Sequence, residues 1–114
     1  MITNFENITK DLTTEEKRLI PVLIGGFKLK TKSNPVKAPD IISRLRESGY
    51  KITQPRLRKL CNLIRSESII PLIATSKGYF VSYDKEEIRK QVLSLQERSD
   101  AILNSAKGLE QFLI

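Results

Sequence analysis

Thr53-Gln54-Pro55-Arg56-Leu57-Arg58-Lys59-Leu60-Cys61-Asn62-Leu63-Ile64-Arg65-Ser66 is the stretch on which the reading of this chain turns. Thr53 offers a hydroxyl to cap a helix, and Pro55 suits its first turn, where a missing amide donor costs little. At roughly 100° per residue, Leu57, Leu60, Cys61 and Ile64 fall within about a quarter-circle, so one face is apolar. The opposite side presents Pro55, Arg58, Lys59, Asn62 and Ser66, with Arg56 and Arg65 flanking it and Gln54 at the N-terminal end.

Upstream lies a partner for this helix. Pro39 reads as the first-turn proline of a helix that runs through Ile41, Ile42 and Leu45 and stops at Gly49. Tyr50-Lys51-Ile52 is a brief connector. Two helices joined so closely, the second opened by a cap and a proline, form a helix-turn-helix unit. Further upstream, Thr13 and Glu16 have capping-box spacing, Leu12 can staple the entry, and Leu19, Ile20, Leu23, Ile24 and Phe27 recur at helical period. Pro21 predicts a bend between Lys17 and Pro21 in this first helix. Its basic tail, Lys28, Lys30 and Lys32, leads to the turn-like Ser33-Asn34-Pro35, after which Val36 can add a short strand.

Downstream the pattern changes. Ile69 to Thr75 is rich in β-branched residues, Ser76-Lys77-Gly78 has turn chemistry, and Tyr79 to Tyr83 returns as a second strand, which predicts a hairpin with a basic tip. Pro71 confines its strand to an edge or a bulge. Asp84 then caps a long helix in which Ile88, Val92, Leu95, Ser99, Ile102, Ala106, Leu109 and Leu113 follow alternating spacings of four and three. Only Ser99 breaks that seam, and Gly108 is expected to end or loosen the helix. The seam serves either a second copy of the chain, which its regularity favours, or the chain's own core.

Charge follows the same division. Residues 1–37 carry seven Lys/Arg against four Asp/Glu, residues 38–83 carry eight against three, and residues 84–114 carry five against six. The excess behind the net charge of +7 therefore sits in the first two thirds. That distribution suits a module that meets a polyanion, joined to an assembly helix, with a domain over 1–83 and the helix over 84–114.

Several function classes are disfavoured. There is no histidine and one cysteine, which removes the commonest general base and zinc ligand and makes an internal disulfide impossible. The five glycines form neither a dinucleotide fingerprint nor a phosphate loop. No catalysis, cofactor or metal is expected. The longest apolar run, Leu19–Phe27, is bordered by Lys17, Arg18, Lys28 and Lys30 and is short of the roughly 20 residues that span a bilayer. The first ten residues lack the layout of a secretory signal, so a cytoplasmic protein is expected.

The helical pair followed by Gln54-Pro55-Arg56-Leu57-Arg58-Lys59, and the later Ile70-Pro71-Leu72-Ile73-Ala74-Thr75-Ser76-Lys77-Gly78-Tyr79-Phe80-Val81, resemble the small winged helix-turn-helix proteins of bacteriophages and mobile elements. The resemblance runs from about Leu12 to Leu95 and is sharpest in the Ala-Thr-Ser-Lys-Gly-Tyr turn. It implies a mainly α fold with a small β-hairpin, extended here by the C-terminal helix, and binding to double-stranded DNA as a transcriptional or replication-associated regulator.

On that reading Arg58, Lys59, Asn62 and Gln54 reach base edges, where Arg and Lys suit guanine and Asn and Gln suit adenine. Arg56, Arg65, Lys51 and Lys77 are expected on phosphates. A dimer formed through the C-terminal helix would address half-sites one helical turn, or a multiple, apart. The alternative is a protein-docking module whose basic face meets an acidic surface. RNA or single-stranded DNA ranks last, because three Tyr and four Phe leave few aromatics for stacking once a core is filled.

Overall fold

The structure, a computed structural model, describes residues 10–113. The start of the chain, read above as lacking a secretory signal, lies almost wholly outside them. The chain divides into two compact units, residues 1–82 and 83–114, and each is described by itself.

The first unit opens with α1 (Thr14–Lys17) and α2 (Leu19–Phe27). The expected capping box is formed: Thr13 Oγ1 accepts from the Glu16 amide at 3.1 Å, and Glu16 Oε1 accepts from the Thr13 amide at 2.9 Å. The predicted bend is a break at Arg18. Pro21, in the first turn of α2, has no amide to give the Lys17 carbonyl, so the i to i−4 ladder cannot continue through it. Past the break, Leu19, Leu23 and Phe27 are buried.

The next pair is α3 (Ala38–Glu47) and α4 (Gln54–Ser66). Pro39 opens α3 as expected. Gly49, at φ +90°, supplies the left-handed turn that ends it, and the Tyr50 amide reaches back to the Leu45 carbonyl at 2.8 Å. Leu57, Leu60, Cys61 and Ile64 of α4 are buried with Leu23, Phe27, Ile41 and Leu45 in one core, so the apolar quarter-circle faces inward. Thr53 stands at the N-cap position but makes no side-chain cap.

Strands β1 (Leu72–Thr75) and β2 (Gly78–Val81) follow as an antiparallel hairpin with Leu72 opposite Val81 and Ala74 opposite Tyr79. β1 starts just after Pro71, which has no amide to give, while its carbonyl accepts from the Ser82 amide at 3.2 Å. Val36 adds the short strand anticipated for it: its amide donates to the Tyr79 carbonyl at 2.9 Å, and the Tyr79 amide donates to the Val36 carbonyl at 2.7 Å. That approach requires Gly78. A Cβ there would sit 2.6 Å from the Val36 carbonyl oxygen, and φ is +129°.

The second unit holds α5 (Lys85–Glu110), then a 3₁₀ turn over Gln111–Leu113. Asp84 caps it, accepting from the Glu86 amide at 2.8 Å. Gly108 does not end the helix as expected: Ala106, Lys107, Leu109 and Glu110 around it are strong helix formers, which offset the cost of about 1 kcal/mol for one glycine. The architecture is therefore mainly helical, with four helices, a hairpin after α4, and a long C-terminal helix. No helix among the described residues is long and apolar enough to cross a membrane.

Candidate nucleic-acid interface

With its apolar face inward, α4 turns Gln54, Arg58, Asn62 and Ser66 outward, and all four are exposed. The helix carries Arg56, Arg58, Lys59 and Arg65 and no acidic residue. Lys51, before its N-terminus, and Lys77, at the hairpin tip, are exposed as well.

Three expected contact residues hold the fold together. Arg56 is 7% exposed. Its Nε and Nη2 grip the Glu16 carboxylate at 2.8 and 2.7 Å, while Nη1 and Nη2 donate to the Lys10 and Asp11 carbonyls at 2.7 and 2.9 Å. A guanidinium with donors committed in this way ties the incoming chain to α4 and, unlike Arg58, is not presented on the open arc where a phosphate contact was expected. Glu16 answers electrostatically. The Arg56 hydrogen bonds, outweighing its partial burial, lower its pKa from 4.5 to about 2.

Arg65 is half-buried and donates from Nε to the Leu72 carbonyl at 3.1 Å, so it fastens the start of β1 to α4. Lys59 is half-buried too, and its ammonium donates to the Lys10 carbonyl at 2.6 Å. It lies on the Arg56 side of the helix, away from Arg58. The residues expected to act together are thus divided: Gln54, Arg58 and Asn62 share one open arc, and Arg56 and Lys59 serve the opposite flank.

Tyr79 fixes the hairpin against α4. Its ring packs on Phe27 with centroids 5.7 Å apart, and its hydroxyl lies near the Cys61 thiol. Burial, first of all, raises the pKa of Tyr79, and the Cys61 thiol adds to that, while Arg65 and Arg58 oppose it. Burial likewise pushes the Cys61 thiol up to about 11. Tyr79 is therefore a packing residue that fixes the hairpin to the core, and Cys61 is an inert core thiol.

Sequence reading missed Lys37. It is exposed at the N-cap of α3 and lines a cleft with Pro39, Gln54, Thr75 and Ser76, which brings a cation beside the N-terminal end of α4 and the hairpin turn. The available signal was Val36: once it pairs with β2, its neighbour must lie at the hairpin. No group of acidic or cysteine side chains suited to a metal occurs among the described residues. Compared with known protein families, curated proteins and solved structures, the chain matches none.

Proposed function

We propose that this chain is a winged helix-turn-helix protein that binds double-stranded DNA, with α4 as the recognition helix and the β1–β2 turn as the wing. The observation that carries the reading is the open arc of Gln54, Arg58 and Asn62 on a helix without acidic residues, flanked by Lys37 and Lys51. An arginine and two carboxamides on one helix face supply the donors and acceptors that read guanine and adenine edges in the major groove. Lys37, Lys51 and Lys77 neutralise phosphates on either side. A regulatory role in transcription or replication rests on the resemblance to phage and mobile-element proteins.

Selection of bound duplexes from a random pool tests this. An enriched sequence whose affinity falls at least tenfold in Arg58→Ala/Asn62→Ala supports base readout by α4. Intact duplex binding in that variant, or capture of an acidic protein with no duplex affinity, would assign the basic face to docking instead.

A further inference from the structure

We infer that α5 is a self-association helix that pairs antiparallel with a second copy of this chain, in the register that sets Leu95 against Ala106 and Ser99 against Ile102. Val92, Leu95, Ile102, Leu103 and Leu109 are 37% to 70% exposed, although they lie along one apolar stripe, broken only at Ser99, on a helix of 26 residues. From Ile88 to Leu109 the stripe is about 33 Å long, at 1.5 Å per residue. That is three heptads, enough for two helices to bury a shared seam.

The sizes of the seam residues choose the direction. Ile88, Leu95, Ile102 and Leu109 occupy one heptad position, and Val92, Ser99 and Ala106 occupy the other. A parallel pair would set Ser99 against Ser99 and Ala106 against Ala106, leaving two hollow layers, and would stack β-branched Ile at a position where two-stranded parallel coils prefer Leu. An antiparallel pair interleaves the two sets. Val92 meets Leu109, Leu95 meets Ala106 and Ser99 meets Ile102, so nearly every layer joins a large residue to a small one.

Charge selects the same arrangement. In this register Arg89 of one copy faces Glu110 of the other, twice by symmetry, and Leu103 covers the stem of Gln96. The parallel alignment brings Arg98 beside Leu103 and Ser105 beside Glu110, and its one opposite-charge pair, Asp84 beside Arg89, uses a carboxylate already committed to capping the helix. Arg89 is 60% exposed at its side chain and pairs with Glu86 one turn earlier, so it can extend to a carboxylate on a second helix. The two Asp84 residues would then lie about 50 Å apart along the pair, further than the roughly 34 Å of one DNA turn. The inference does not depend on DNA binding.

The test uses the full chain without DNA. A mass measurement in solution at tens of micromolar is expected to give a dimer. Under mild oxidation, a mixture of Leu95→Cys and Ala106→Cys chains should form the mixed disulfide, whereas Ser99→Cys alone should not link to itself; the buried Cys61 keeps the background low. Glu110→Arg should weaken the dimer several-fold, and adding Arg89→Glu should restore it. A monomeric mass, or ready self-linking of Ser99→Cys without the Leu95–Ala106 link, overturns the inference.

Discussion

The guanidinium of Arg56 holds both carboxylate oxygens of Glu16, forty positions earlier in the chain, while the same carboxylate closes the cap of α1. One ion pair thus joins the entry of the first unit to the helix that bears the candidate interface. A bidentate, mostly buried pair of this kind loses far more when one partner is removed than an exposed pair does.

Arg56→Met is therefore expected to lower unfolding free energy by about 2–3 kcal/mol, because Glu16 loses its buried guanidinium partner and the Lys10 and Asp11 carbonyls each lose a charged donor, with Lys59 still on Lys10. Arg58→Ala, two positions on but exposed, should change it by less than about 0.5 kcal/mol. Urea unfolding of both variants checks the contrast, and equal effects would contradict the division of labour between the two arginines.

Acid should expose the same pair. With the Glu16 carboxyl lowered from 4.5 to about 2, its contribution to stability is complete above pH 4.5 and is lost as pH falls through about 2. Glu16→Gln should be less stable than the parent at pH 6 and close to it near pH 2. Thermal melts at the two pH values measure this difference.

Gly78 and Gly25 should respond oppositely to alanine. At Gly78 a Cβ meets the Val36 carbonyl in a left-handed backbone, so Gly78→Ala should cost at least about 2 kcal/mol and loosen the hairpin. At Gly25, inside α2, a Cβ meets nothing within 4 Å, and Gly25→Ala should stabilise by about 0.5–1 kcal/mol. Denaturant midpoints of the two variants report both signs.

The Cys61 thiol, held up to about 11 by burial, should resist a thiol reagent at pH 8 in the folded chain and react at once in urea. Rapid labelling without denaturant would contradict its place in the core beneath Tyr79.

Much of this was legible in the sequence where a local rule governs. The capping box at Thr13, the stop at Gly49, the inward face of α4 and the cap at Asp84 each depend on residues within a turn or two. What escaped depends on distance along the chain. Arg56 looks like any cation beside an exposed arc until Glu16 and the Lys10 and Asp11 carbonyls close on it from forty or more positions away. Lys59 and Arg65 likewise donate to carbonyls that only the folded chain brings to them. Lys37 was missed because only tertiary pairing of Val36 with β2 places it beside Gln54. Gly108 was misjudged because a single glycine weighs less than the good helix formers around it.

The central claim is that the arc of Gln54, Arg58 and Asn62, with Lys37, Lys51 and Lys77 beside it, binds duplex DNA. The most direct measurement is the affinity of the full chain for its selected duplex across a salt series, with the parent and Arg58→Ala/Asn62→Ala compared. Three neutralised phosphates predict a logarithmic slope of about −3 per chain, retained in the double variant while its affinity for the selected sequence drops toward that for random duplex. An affinity indifferent to salt, or a double variant that still distinguishes the selected sequence, would contradict the account.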